Sequence, residues 1–215
     1  MGLVLSLARV LYVTLRIFAH HPLGVLWVTF VALLFSFVSF GILIGPMQVG
    51  FNAVMLRYLR RGEWAPELLW QQFRREAFLA GWVYLALLLV GLVVPLPLER
   101  SSPVVAELLR FAANTVLGLL WFYPFQYLAE RHGPWSWAVR EGWHLILRAG
   151  VLAHVLLVSL VQLINYVPTG TSLPLLDLFV LVLLVGISGL IGVVAYVQLN
   201  PQPPEPPGNA PDGQA

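Results

Sequence analysis

No Asp, Glu, Lys or Arg occurs between Arg16 and Arg57, and so long a charge-free stretch finds its solvent in lipid. As one straight helix, residues 22–59 would run about 57 Å, roughly twice the hydrocarbon core. The natural break is Gly41-Ile42-Leu43-Ile44-Gly45-Pro46, where two glycines and a proline oppose continuous helix. Spans over residues 22–40 and 43–60 are predicted.

The rest of the chain carries the same signature. Of 215 residues, 59% are hydrophobic and 10% charged, with a mean hydropathy of +0.83. That is too apolar for a soluble domain of this size with a polar shell. Further spans are expected near residues 78–94, 105–128, 149–166 and 173–199. Pro95 and Pro97 end the third, and a polar loop at residues 99–102 follows. A turn at Pro168-Thr169-Gly170-Thr171 separates the last two. The fold expected is an all-α bundle of six spans in three hairpins, one membrane domain over residues 1–200. A proline-rich tail, residues 201–215, is expected to be disordered. Met1-Gly2 and Ser6 fit a loose myristoylation pattern that is commonly coincidental. No basic segment precedes the first apolar run, so that helix is expected to stay attached.

Between the spans lie amphipathic stretches rich in Arg and Trp. Residues 3–20 place Arg9 and Arg16 opposite an apolar face. Residues 63–76 combine Arg74 and Arg75 with Trp64, Trp70 and Phe73. Residues 130–148 combine Arg131, Arg140 and Arg148 with Trp135, Trp137 and Trp143. Each reads as a helix lying at headgroup depth. Three similar units result, each an interfacial helix, a span and a returning span. Tyr58-Leu59 is echoed by Tyr127-Leu128, Trp64 by Trp135 and Ala80-Gly81 by Ala149-Gly150, at offsets of 69 to 71 residues.

All 12 basic residues are Arg. With six spans and a cytoplasmic N-terminus, ten of them lie inside and two, Arg100 and Arg110, outside. This asymmetry places both termini in the cytoplasm and the protein in the cell (inner) membrane. Arg57, Arg60, Arg61, Arg74, Arg75, Arg131, Arg140 and Arg148 are the residues expected to contact lipid headgroups. Dispersed between apolar runs, they form no continuous patch for nucleic acid.

The stretch Gly45-Pro46-Met47-Gln48-Val49-Gly50, then Leu56-Arg57, Arg61-Gly62-Glu63, Glu67-Leu68-Leu69 and Phe73, resembles a group of uncharacterised bacterial and archaeal membrane-protein families. Their marks are G-P-x-x-x-G, an R-G-E turn and an amphipathic segment ending in Phe. The membrane domain of some glycerophosphodiester phosphodiesterases looks related to the same group. The resemblance extends through residues 135–148. It implies a six-helix membrane fold and carries no activity to this chain.

Catalytic chemistry has little to work with. Cys is absent, no Ser sits in a nucleophile-elbow setting, and no glycine-rich phosphate loop occurs. Glu141-x-x-His144 has the spacing of half a di-iron site but lacks a second copy. No metal, cofactor or enzymatic activity is expected. Polar groups at membrane depth remain. Asn52, Glu107, Arg110, Asn114, His154 and Asp177 are the intramembrane polar candidates, with Gln126, Gln162 and Asn165 as further polar side chains. Gly186, Gly189 and Gly192 form a packing stripe, and Gly41 and Gly45 a small-x-x-x-small pair. The function expected is a non-catalytic membrane component that binds lipids, another membrane protein or its own copy. The alternative is a small-solute or lipid transporter.

Overall fold

The computed structural model describes residues 5–93, 102–165 and 174–201. The myristoylation pattern at the N-terminus, Pro95 and Pro97, most of the polar loop at 99–102, the turn at 168–171 and the tail beyond Pro201 lie outside them.

Every described element is helical. The order is α1 (Leu7–His20), α2 (Pro22–Val38), α3 (Ile44–Arg61), a 3-10 turn (Pro66–Gln72), α4 (Arg75–Val93), α5 (Pro103–Trp121), α6 (Pro124–Arg131), α7 (Trp135–Ala149), α8 (Val151–Asn165) and α9 (Pro174–Leu199). Proline opens α2, the 3-10 turn, α5, α6 and α9, where its missing N–H would be unpaired anyway and its fixed φ suits the first turn. α3 ends on Gly62 (φ 71) and α6 on His132 (φ 55), both left-handed. The two stops are 70 residues apart, in step with the sequence repeat.

Three helical stretches are long and apolar enough to cross a membrane: α4, α5 with α6, and α9. The pairs α1–α2 and α7–α8 qualify only when joined, and they bend by 96° and 112°. The described residues therefore hold three to five candidate membrane spans. The first bend sits at Pro22, whose ring clashes with the preceding turn, and the second at Gly150, φ 106. The expected break between α2 and α3 is present, and its sharpest point is Phe40-Gly41, both at positive φ. Gly45 and Pro46 instead lie in the first turn of α3, where a proline is tolerated.

One expectation is corrected. The amphipathic stretch 63–76 is no α-helix. Residues 66–72 are a 3-10 helix with irregular chain before it and at Phe73-Arg74, and Arg75 and Glu76 already belong to α4; Pro66, which has no N–H to donate, starts a new element instead of continuing a helix from Glu63. The span expected over 105–128 is present as α5 with α6, Pro103–Arg131, with a short interruption at Phe122-Tyr123, where Pro124 cannot donate to the preceding turn.

Packing repeats around the molecule. The 3-10 turn and α4 pack on α3, α7 packs on α6 and α8 on α5, while α1 and α2 pack on α9. Each group of three elements thus leans its first two on the last helix of the group before it, and the first group closes the ring on α9. α3 sits innermost, with every residue from Val49 to Leu56 buried. The glycines of the G-P-x-x-x-G stretch make this approach feasible. A Cβ on Gly45 would fall 1.9 Å from the Ala77 carbonyl oxygen, and one on Gly50 would fall 2.5 Å from that of Leu69. Gly186, Gly189 and Gly192 face Thr29, Phe51 and Gln126 in turn, so the stripe on α9 receives α2, α3 and α6. Outward faces carry Trp27, Phe37, Leu92, Leu108, Leu152 and Leu175, all exposed.

Candidate functional site

The C-terminal ends of α3, α6 and α9 meet in a polar knot. Arg60 Nε donates to Glu130 Oε1 at 2.5 Å, and its other nitrogens donate to the carbonyls of Asn200 (2.9 Å) and Pro201 (3.1 Å). Tyr196 donates its hydroxyl to Glu130 Oε2 at 2.8 Å and accepts from Asn200 Nδ2 at 3.2 Å. The Arg60 and Glu130 side chains are only 14% and 10% exposed. A charge pair this enclosed is stable because both partners also have neutral hydrogen-bond partners.

Around this knot opens a basic bay of about 740 Å³, lined by Arg57, Arg60, Arg61, Gln71, Gln72, Glu130 and His132 among others. Arg57 pairs with Glu63 at 2.7 Å, half-exposed. Arg61 is exposed at the last position of α3, next to the left-handed Gly62. Three helix C-termini point here, so part of this positive charge offsets their dipoles. Arg74 braces the wall by donating to Gln72 Oε1 (2.6 Å) and to the Leu128 carbonyl (3.0 Å). Burial lowers its pKa from the usual arginine value. The nearby His132 is also held below its ordinary value, first by burial and then by the charge of Arg74.

Deeper along the same helices lies a second cavity of about 290 Å³. Its walls include Gln48 and Asn52 from α3, Trp121, Phe125 and Gln126 from α5 and α6, Gln162 from α8, and Ser188, Gly189 and Gly192 from α9. Asn52 donates to the Gln48 carbonyl at 2.7 Å. The Asn52 Oδ1, Gln126 Oε1 and Trp121 Nε1 atoms are buried without a protein partner. Each such atom destabilises the fold by about 1–3 kcal/mol when nothing else satisfies it. Along α3, Asn52 and Arg60 are about 12 Å apart in helix rise. Tyr196 and Val193, both fully buried, lie on α9 between the levels of cavity and bay.

The sequence-predicted residues therefore scatter into separate settings. Arg57, Arg60 and Arg61 share the bay. Arg75 begins α4 and is exposed, whereas Arg131 ends α6 with its guanidinium 5.5 Å from the Trp137 ring. Arg140 and Arg148 are exposed on α7. Asn52 lines the deeper cavity. Glu107 and Arg110 pair one helical turn apart on α5, and with Asn114 they line a groove closed by Gln162 and Leu163 of α8. His154 is sealed elsewhere: Nδ1 lies 2.8 Å from the Gly150 carbonyl and Nε2 2.8 Å from the Tyr123 hydroxyl. That pattern makes Nδ1 the protonated nitrogen, with Tyr123 donating to Nε2. Asp177 lies in the first turn of α9. The side chain of Asn165 is outside the described residues.

No protein-family model, curated protein or solved structure matches this chain. Its chemistry follows from geometry. Among the described residues, no group of three or more His, Cys, Asp or Glu side chains is placed to hold a metal. Sequence reasoning passed over Glu130, Tyr196, Asn200, Gln48 and Trp121. A usable signal existed for four of them in the i, i+4 spacings Gln48–Asn52 and Tyr196–Asn200 and in the offset of 70 residues between Arg60 and Glu130.

Proposed function

We propose that this chain is a six-span protein of the cell membrane, both termini cytoplasmic, that binds anionic lipid headgroups without catalysing a reaction. The basic bay carries this reading. Arg57 and Arg61 stand at its rim with Gln71 and His132, offering charged and neutral donors to one phosphate group. Arginine suits the task because its planar donors match phosphate oxygens in pairs. The bay lies on the arginine-rich face, the one that would meet the anionic cytoplasmic leaflet.

Six spans follow if α2 and α3, α4 and α5–α6, and α8 and α9 are the outward and returning arms of three hairpins. In support, α1 and α7 join their spans through sharp bends, as helices lying in the headgroup layer would. The resemblance carried by the Gly45-to-Gly50 stretch favours the same topology. Because the chain lacks Cys, single cysteines at Arg61, Arg140 and Val104 report sidedness cleanly. Arg61 and Arg140 are expected to label from the cytoplasm and Val104 from the other face. Labelling of Arg61 and Arg140 from opposite faces refutes the topology.

Headgroup binding is tested by native mass spectrometry of the protein released from mixed phosphatidylglycerol and phosphatidylcholine nanodiscs. Preferential retention of phosphatidylglycerol is expected, and Arg57→Gln with Arg61→Gln should remove the preference. Equal retention of both lipids by the unaltered protein refutes the reading.

A further inference from the structure

We propose that the groove between α5 and α8, with Glu107 and Arg110 on its wall, is a binding site for a phospholipid whose headgroup carries a primary ammonium beyond its phosphate, of the phosphatidylethanolamine class. The site lies at the other end of the α5–α6 stretch from the basic bay and is independent of any lipid bound there. Glu107 and Arg110 stand one helical turn apart and pair with each other. Their side chains are 46% and 25% exposed, so a ligand can reach both. With Asn114 they line a groove of about 530 Å³, whose apolar wall includes Leu108, Phe111 and Leu163, all exposed. Gln162 Nε2 donates to the Asn114 carbonyl at 3.3 Å and ties α8 to α5 there.

Depth in the bilayer orders the two charges. As a span, the 29 residues of α5 with α6 run about 43 Å in helix rise, which matches a bilayer together with its headgroups. Counted from Pro103, Glu107 lies about 6 Å and Arg110 about 10 Å inside. The first depth falls in the headgroup layer and the second at the edge of the hydrocarbon core, which is about 30 Å thick. In phosphatidylethanolamine the chain runs from glycerol through phosphate and two carbons to the ammonium, so the anion is the deeper charge. An acid nearer the water and a base nearer the core present the complementary order.

The chemistry of the pair selects among lipids. A carboxylate has about four acceptor sites and a guanidinium five donors, so each can hold a lipid group while keeping its bond to the other. Arg110 suits the phosphate, whose oxygens match its planar donors. The ammonium brings three N–H donors to Glu107. Phosphatidylcholine carries the same two charges, but its methylated nitrogen donates no hydrogen bond. An anionic lipid such as phosphatidylglycerol would set a second negative charge beside Glu107 with no cation to answer it. An acyl chain continues from the glycerol along Leu108, Phe111 and Leu163, which favours a lipid over a water-soluble zwitterion.

The site is tested by counting the lipids that the intact chain retains, by native mass spectrometry, on release from nanodiscs of equal parts phosphatidylethanolamine and phosphatidylcholine. Retention favouring phosphatidylethanolamine by about two- to fivefold is expected, the range that a half-exposed ion pair supplies. Glu107→Gln should remove the preference. Exchanging the charges, Glu107→Arg with Arg110→Glu, keeps an ion pair on α5 and should remove it as well, because the order is then inverted. Arg57→Gln with Arg61→Gln should leave it unchanged, which separates this site from the bay. Equal retention of both lipids by the unaltered protein overturns the proposal. So does an unchanged preference in Glu107→Gln or in the exchanged pair, or a preference lost with the two bay arginines. Should the charge variants fail to fold, Leu163→Trp, which narrows the groove from α8 without touching either charge, should lower phosphatidylethanolamine retention, and unchanged retention then overturns the proposal.

Discussion

Removing Glu130 tests whether the polar knot fastens the three helix ends together. Glu130→Ala takes away a carboxylate acceptor from both Arg60 and Tyr196, leaving the Tyr196 hydroxyl and part of the Arg60 guanidinium short of partners. Each hydrogen bond to a charged group contributes about 1.5–3 kcal/mol. The sum, about 3–6 kcal/mol, spans the roughly 3–5 kcal/mol expected when one partner of an enclosed ion pair is deleted. The remaining carbonyl acceptors of Asn200 and Pro201 favour the lower part of that range, about 3–4 kcal/mol. Using about 2–4 °C per kcal/mol for a chain of this length, thermal unfolding in a fixed detergent should shift down by about 6–16 °C. Glu130→Gln retains an acceptor for Tyr196 and should lose less. A double-mutant cycle with Arg60→Ala should return a coupling energy above about 1 kcal/mol. If Glu130→Ala unfolds within a degree of the unaltered protein, or the cycle is additive, the knot is incidental to stability.

Three further perturbations have definite signs. Gly81→Ala places a Cβ 2.3 Å from the backbone nitrogen of Gly45, forcing α3 and α4 apart at a cost of about 1–3 kcal/mol, to be read as a lower midpoint in a denaturation series. Tyr123→Phe leaves His154 Nε2 buried without its donor and should destabilise by about 1–3 kcal/mol; adding His154→Leu should recover part of that loss, and a larger loss in the double variant would contradict the pairing. His132→Gly relieves a left-handed backbone at the end of α6 and should stabilise by about 0.5–1 kcal/mol. The same histidine gives an acid-side signature. Its folded pKa is depressed, so the unfolded chain binds the proton more readily. Its stabilising contribution is present above about pH 6.5, the unfolded value, and is lost as pH falls through the lower folded value. His132→Gly should lack this component in stability measured from pH 7.5 to 5, about the range that brackets the titration.

Helix positions were largely legible because uncharged runs, prolines and glycines act locally. Pro22, Pro103 and Pro174 start helices, and Phe40-Gly41 ends the run before α3. The stretch 63–76 was misread because Pro66 sits inside a pattern that otherwise favours continuous helix. The bay was half visible, since Arg57, Arg60 and Arg61 crowd one helix end. Their partners were not, because pairing Arg60 with Glu130 requires two chain segments 70 residues apart to end at the same level. The repeat of 69 to 71 residues was the clue: Arg60 and Glu130 each stand one place before the last residue of their helices. The deeper cavity was hidden for another reason. Its polar groups come from α3, α5, α6, α8 and α9, and only the ring of packed helices gathers them.

Ring closure also dictates an order of manufacture. The seat for α1, with its buried Val10, Thr14 and Ile17, is on α9, so α1 is made well before the helix it packs on. Until Pro174–Leu199 has been made, α1 lacks the helix it packs on most closely, and its oily side is expected to shelter in the lipid surface. Chains halted before residue 174 should therefore expose α1 to added protease, and full-length chains should protect it. Comparable cleavage of both would mean that the circle is not what holds the beginning of the chain in place.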